Sequence, residues 1–424
     1  MSQINTAGRA GVQSSSPYDV DLVRKDFPIL QQKMRGKRFV YLDNAATSLK
    51  PQSVIDAEIA YYTTMGANIH RGVYEFSERA TLAFDAARES LRAFINVPED
   101  GHIVFTKGAT EGVNMVASGW GRRHLQSGDE IVTSELEHHA NLVPWQELAR
   151  EKGLVLKFLP IDPETGTLSL SGIEETITDR TRLVAITAMS NVTGYLPPVK
   201  EIVRIAHAHG AIVLVDGAQY VSHHKTDVTD LDCDFLVFSG HKMLGPTGTG
   251  VLYGKEACLD QMTPYNYGGD MIVKVYKDRA TYRDIPERFE AGTPNVAGVI
   301  GLGAAVRYLL NLGMDNVATH ERNLIRYLTA AAEDVPGIAV YATSDTEHLG
   351  GIFSFNLGDV HSHDTGAILD NEGIAVRTGF HCAQPYMRFL GIPGTVRASL
   401  YLYNTTEEID IFIRALARVK EVFG

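Results

Sequence analysis

The chain has 424 residues, 44% of them hydrophobic and 21% charged, and carries a net charge of −12. That length exceeds one compact core and predicts two domains of ordinary globular composition. The acidic balance disfavours a surface that wraps nucleic acid or an anionic membrane, while leaving room for a local basic pocket.

Three cysteines, Cys233, Cys258 and Cys382, are too few and too scattered for a disulfide framework or a thiolate metal site. No apolar run approaches the roughly 18 residues that span a bilayer. The opening MSQINTAGRAGVQSSSP is polar and small, lacks an apolar signal region, and is expected to be a disordered tail over 1–17. The expectation is a cytoplasmic protein with individual thiols.

Next comes DVDLVRKDFPILQQ, in a segment 18–39 expected to pack on a small C-terminal domain. From about residue 40 to 255, apolar β-rich runs alternate with amphipathic stretches. Strands are expected at HIVFT (102–106), DEIVTSE (129–135), LVLKFLP (154–160), RLVAITAMS (182–190), AIVLVD (211–216), DFLVFS (234–239) and GTGVLYG (248–254). Strands apolar on both faces and separated by helices predict an α/β domain over 40–295, with a mainly parallel seven-stranded sheet covered on both sides. A helical stretch over about 296–334 then leads into short strands IAVYA, GIFSFNL, IAVRTG and RASLYLYN. The chain ends on a helix in which Thr405 and Glu408 have capping-box spacing, so 296–424 reads as a smaller α+β domain.

Chemistry gathers where strands end. KGATEG (107–112) follows a strand and opens a helix, so the N–H groups of Ala109 and Thr110 with the Thr110 hydroxyl suit an anion, or simply cap the helix. In EHHAN (137–141) the adjacent His138 and His139 point apart and lack a partner at ligand spacing, which argues against a metal. Asp216 of VLVDGAQ ends an apolar strand, either capping the next turn or holding a ring nitrogen or metal, with Gln219 in reach of the same ligand.

In FSGHKMLGPTGTG, Lys242 lies between a buried strand and cramped glycines, beside Ser239 and His241. A lysine desolvated there has a lowered pKa and serves as an amine nucleophile. The glycine run leads into a strand and so is no dinucleotide fingerprint. In RTGFHCAQP (377–385), Cys382 sits in a polar Gly- and Pro-bounded segment that favours a loop, whereas Cys233 and Cys258 read as structural. An amine with a carboxylate partner for a pyridinium is how a protein binds pyridoxal phosphate.

With these motifs in this order, together with YLDNAAT, NIHRGVYEFS, MSNVTG and FEAGTPN, the sequence resembles the class V aminotransferases of the fold-type I pyridoxal-phosphate enzymes. Within them it is most similar to the SufS-like, group II cysteine desulfurases. The resemblance runs from about residue 41 to the C-terminus. It implies pyridoxal 5'-phosphate held by Lys242, with Asp216 at its ring nitrogen, Gln219 at its phenolic oxygen and His138 on its ring. Ala109, Thr110, Ser239 and His241 would hold the phosphate, joined by Thr293 from the other subunit of a homodimer. Asn191 and Arg397 would take the substrate carboxylate, His70 and Arg71 would line the entrance, and Cys382 would receive sulfur from L-cysteine as a persulfide.

The short segment between Cys382 and Arg397 favours the SufS-like over the IscS-like group, and Phe380 replaces a polar residue of some relatives. A SufE- or SufU-like acceptor and iron–sulfur cluster assembly are implied. The rival readings are a selenocysteine lyase or cysteine sulfinate desulfinase on the same fold, and a non-catalytic sulfur-trafficking scaffold.

Overall fold

A computed structural model describes residues 18–343 and 348–423; the tail expected over 1–17 lies outside the described residues. The central layer is a seven-stranded sheet of β1 (Gly101–Thr106), β2 (Glu130–Ser134), β3 (Val155–Leu159), β4 (Thr181–Thr187), β5 (Ile212–Asp216), β6 (Phe235–Ser239) and β7 (Gly250–Lys255) in the order β1-β7-β6-β5-β4-β2-β3. Only β7 runs against its neighbours. The run of apolar residues in Phe235–Ser239 is buried throughout, as a strand covered on both faces requires.

Helices lie on both sides. On the N-terminal side are α1 (Val20–Lys25), α2 (Gln52–Thr64) and α3 (Glu75–Phe94). Between the strands come α4 (Ala109–Val116), α5 (Val143–Lys152) and α6 (Val199–Ala208). Helix α6 shows the governing pattern: Val199, Ile202, Val203 and Ala206 recur at helical spacing and are buried against β4 and β5.

The helical stretch predicted over 296–334 is two helices, α7 (Val296–Leu312) and α8 (Met314–Glu333), bent by 76° at their junction. Gly313 makes the break: its φ of +80° is a left-handed conformation that ends a helix and suits a residue without Cβ. Helix α7 packs on α2 and α3. Helix α8 lies with α9 (Ser362–Asn371) and α10 (Thr406–Phe423) on an antiparallel sheet of β8 (Ile338–Val340), β9 (Ile352–Leu357), β10 (Arg377–Gly379) and β11 (Thr395–Ser399), in the order β8-β9-β11-β10. Leu324, Leu328, Phe353, Phe355, Phe412 and Leu416 form the core between them.

The capping box read from the sequence is present: Glu408 N–H donates to Thr405 Oγ1 at 3.2 Å and Thr405 N–H to Glu408 Oε2 at 3.3 Å. Segment 18–39 has contacts on both sides: Tyr308 Oη of α7 donates to Asp26 Oδ2 at 2.8 Å, and other bonds run to α9 and α10. Arg24 pairs with buried Glu408 at 2.8 Å, and Arg35 with Asp370 at 2.6 Å. No single helix among the described residues is long and apolar enough to cross a membrane.

This topology sets the site. The parallel strands β2, β4, β5 and β6 all end at one edge of the large sheet, so Ser134, Thr187, Asp216 and Ser239 share that edge. Strands β10 and β11 of the smaller sheet bring Arg377 and Arg397 to it.

Candidate functional site

A cavity of about 170 Å³ opens at that edge, lined by Thr110, His138, Asp216, Lys242, Cys382 and Arg397 among others. Asp216 is buried at the tip of β5, and Ala218 N–H donates to its Oδ1 at 2.9 Å. Burial raises its pKa, opposed by that backbone bond and by the charge of Lys242.

Lys242 ends a short 3₁₀ turn, Gly240–Lys242, directly after β6. Burial lowers its pKa to about 8, against the pull of Asp216 and with the help of Arg397 and Arg377. The glycines that follow have a steric reason. Gly248 has φ +68°, and a Cβ on Gly250 would lie 2.4 Å from Gly108 Cα, so β7 passes tight against the start of α4.

At that start Gly108 offers no side-chain cap, and Ala109 N–H donates to Ser239 Oγ at 2.9 Å. The cradle read in KGATEG therefore includes the tip of β6. Thr110 is exposed, and His241 is half-buried with its pKa lowered to about 4 by burial and by the ammonium groups of Lys242 and Lys50.

His138 caps a 3₁₀ turn, its Nδ1 accepting from Ala140 N–H at 3.1 Å, which puts the proton of the neutral ring on Nε2. Burial, reinforced by Lys242, lowers its pKa to about 3 and keeps the ring neutral. The preceding Glu137 ties the strand tips together. It accepts from Ser134 Oγ at 2.7 Å, Asn141 Nδ2 at 2.7 Å and Thr187 N–H at 3.0 Å, and burial lifts its pKa to about 8. Gln219 Nε2 donates to the Ala45 carbonyl at 2.8 Å, while its buried Oε1 has no partner among the described residues.

Arg397 is buried on β11. Its Nη1 donates to the Asn191 carbonyl at 2.7 Å, Nη2 lies 3.5 Å from Asp43, and Nε has no partner among the described residues. Burial presses its pKa to about 10, so it stays charged at neutral pH. Asn191 uses its amide to donate to the His381 carbonyl at 2.7 Å, so it holds both the arginine and the cysteine loop.

Within that loop His381 and Cys382 are consecutive left-handed residues, with φ +51° and +56°. His139 N–H donates to the Cys382 carbonyl at 2.7 Å and His381 Nε2 bonds Thr395 Oγ1 at 2.8 Å, which pins the loop at the cavity. Cys382 also borders a second cavity of about 220 Å³ with His361, His363, Arg377 and Phe380.

The structure thus gathers Lys242, Cys382, His138, Asp216, Gln219, Ala109, Thr110, Ser239, His241, Asn191 and Arg397 around one cavity. It leaves three of the expected residues elsewhere. His70 and Arg71 are exposed, Arg71 pairing with Asp270 at 3.2 Å, and Thr293 is exposed too; none of them lines the cavity within one chain.

Arg377 was missed by the sequence reading. It lies directly across the β10–β11 ladder from Arg397 and lines the cavity. Two arginines opposite one another repel unless an anion joins them, a signal that needs the strand register.

A family model, aminotransferase class-V, matches residues 40–412. A probable cysteine desulfurase of Halalkalibacterium halodurans is 48% identical over 402 residues, covering 95% of this chain and 98% of the relative. Among solved structures, the apo cysteine desulfurase of Thermococcus onnurineus superposes with a TM-score of 0.89 at 42% identity, covering 95% of this chain and 98% of that one. The cysteine desulfurase CsdA of Escherichia coli superposes with a TM-score of 0.88 at 40% identity, covering 96% of this chain and 100% of that one.

Proposed function

The chain belongs to the aminotransferase class-V family and, within it, to the cysteine desulfurases, and we propose that its cavity holds pyridoxal 5'-phosphate and moves sulfur from L-cysteine onto Cys382. The observation that carries this reading is the convergence of a depressed-pKa amine, Lys242, and a thiol, Cys382, on one cavity with a buried carboxylate and a buried guanidinium.

The residues present fit the cofactor. Asp216 is a buried carboxylate with a backbone donor, and a protonated ring nitrogen supplies the cation such a group needs. The start of α4, where Gly108 gives no side-chain cap, suits a phosphate together with Thr110, Ser239 and His241. The unpartnered Gln219 Oε1 and Arg397 Nε are buried polar atoms that a polar ligand in the cavity relieves. When bound, pyridoxal phosphate supplies an aldehyde that links to amines and a ring that withdraws electrons from the substrate Cα.

The side chains do the rest. Arg397, steadied by Asn191, binds the substrate carboxylate, and Arg377 opposite it reinforces the positive field. Lys242, about half neutral near pH 8, takes the Cα proton and later returns one. Asp216, buried with its Oδ1 accepting from Ala218 N–H, would face the ring nitrogen of the bound cofactor as its counter-charge. Cys382, as thiolate, forms a bond to the substrate sulfur as the Cβ–S bond breaks; the electron pair stays with Cβ, which gains a proton, and alanine leaves. An acceptor thiolate of a SufE- or SufU-like protein, entering by the second cavity beside Phe380, bonds to the outer sulfur as the S–S bond to Cys382 breaks, which frees the Cys382 thiolate and delivers sulfur for iron–sulfur assembly in the cytoplasm.

The enzyme is a homodimer, supported by the exposed apolar side chains of Ile59, Tyr62, Val73, Tyr74, Phe76 and Leu82 on the neighbouring helices α2 and α3 and the loop between them. Thr293 completes the phosphate site, and His70 and Arg71 the entrance, from across that interface. The large domain, 40–295 with α7 packed on its α2 and α3, carries the cofactor, and the part of the chain after α7 carries the thiol and the carboxylate-binding arginine.

The test is release of alanine and sulfide from L-cysteine by the yellow purified protein, with a thiol reductant, beside Cys382→Ala. The variant keeps the colour and loses turnover of cysteine. A colourless parent, or a variant as active as the parent, overturns the reading. Retention of selenocysteine activity alone by both proteins moves the assignment to a selenocysteine lyase.

A further inference from the structure

Lys50 is a half-buried lysine beside the site with no part in the chemistry above. It ends the run Thr47, Ser48, Leu49, Lys50, which passes under the turn that carries Lys242. Its Nζ donates to the carbonyls of Ser48 at 2.6 Å and of His241 at 2.9 Å. Three more donors reach the same His241 oxygen: Ser48 N–H at 2.9 Å, Thr47 Oγ1 at 2.9 Å and Ser48 Oγ at 3.1 Å. Four donors thus converge on one carbonyl oxygen, which has only two lone pairs.

That carbonyl belongs to the peptide group whose nitrogen is Lys242's own. Its plane sets the direction in which the Lys242 side chain leaves the backbone. The same run grips the turn from its other end, with Leu244 N–H donating to Ser48 Oγ at 2.8 Å. Leu49 N–H in the run donates to Tyr403 Oη at 2.9 Å, just past the end of β11, and Asn44, three residues before the run, donates its Nδ2 to the Ser399 carbonyl at 2.7 Å. Ser399 lies on β11, the strand of Arg397. Burial lowers the Lys50 pKa to about 8, with Glu58 nearby pulling it up. A buried ammonium is retained where its charge-assisted bonds to carbonyls do something a neutral side chain does not.

We propose that Lys50 is a positioning residue: with Thr47 and Ser48 it clamps the His241–Lys242 peptide, and so holds the Lys242 amine in register with Arg397. This rests on the reading of Lys242 as the reacting amine. A clamp of this kind acts on the orientation of the base and leaves the carboxylate-binding groups alone, so it enters kcat and spares KM.

The test uses the holoenzyme and its Lys50→Met, Lys50→Arg and Thr47→Val variants, with steady-state kinetics on L-cysteine and amide hydrogen exchange of the peptide spanning 240–245. Lys50→Met keeps the visible absorption, lowers kcat roughly tenfold or more, moves KM by less than about twofold, and speeds exchange in that peptide. Lys50→Arg, which keeps the cationic donor, recovers most of both. Unchanged kcat and exchange in Lys50→Met overturn the proposal, as does an Arg variant that behaves like Met. Where Lys50→Met fails to fold, Thr47→Val decides by the same readouts: a smaller change in the same direction supports the clamp, and parent behaviour in both overturns it. A colourless parent would instead sink the reading of Lys242, and the exchange comparison would still judge the clamp.

Discussion

Lys242 and Asp216 decide the chemistry at the residue scale. A free lysine titrates near 10.4, so at pH 7 its amine is almost wholly charged. Burial beside two arginines brings Lys242 to about 8, while Asp216 works against that shift. Removing the carboxylate charge removes an attraction to the ammonium form, so Asp216→Asn lowers the Lys242 pKa further. Acetylation of Lys242 in cofactor-free protein, followed by mass spectrometry from pH 6 to 10, reads this directly. The midpoint falls near pH 8 in the parent and lower in Asp216→Asn, with surface lysines titrating above both. His138 stays neutral across this range because its pKa is about 3.

Two local devices matter at the element scale. The cysteine loop holds two adjacent residues in the left-handed region, His381 and Cys382, a conformation costing on the order of 1–3 kcal/mol for each non-glycine residue. It persists because Asn191, His139 and Thr395 bond the loop from three different elements. The capping box of α10 is the second device, and it anchors a helix whose Ile409, Phe412, Leu416 and Val419 fill the smaller core. Thr405→Ala removes the bond to Glu408 N–H and lowers unfolding free energy by about 1 kcal/mol, read from urea denaturation. The alanine variant leaves Lys242 and Arg397 untouched, so turnover per folded molecule is unchanged.

At the scale of the whole molecule, the cavity joins two sheets of opposite character. The mainly parallel sheet delivers Asp216, Ser239 and Lys242, and the antiparallel one delivers Arg377, Arg397 and the approach to Cys382. Thr293 stands exposed outside the cavity in a single chain, so the proposal that the other subunit of a homodimer supplies it needs a test of its own. Mixed dimers test the sharing. Lys242→Ala lacks the amine, and on that proposal Thr293→Glu would set a carboxylate against the phosphate. Co-refolded together they form heterodimers with one complete site, so cysteine turnover returns to a fraction of the parent's. Sites complete within one chain would give no such recovery, and the sum of the two inactive homodimers would be all that is measured.

Sequence alone determined the features that are written locally. Apolar runs such as AIVLVD and DFLVFS mark buried strands, because a strand covered on both faces has no polar side to display. Thr405 and Glu408 mark a helix start because capping operates within one turn, and Lys242, Asp216 and Cys382 stand out because their neighbours are unusual for a solvated lysine, aspartate or thiol. Gly313, which splits a helical pattern in two, was there to read, but its turn depended on which way α7 and α8 had to pack.

Tertiary structure decided what depends on contact between distant segments. Arg377 faces Arg397 only through the register of β10 on β11, and Asn191 proves to hold the cysteine loop through a bond spanning 190 positions. Glu137 joins two strand tips, at Ser134 and Thr187, and Lys50 reaches His241 across 191 positions. Hydrogen bonds and charges act over a few ångströms of space whatever the distance along the chain. Groups brought together by topology therefore leave no pattern in the order of residues.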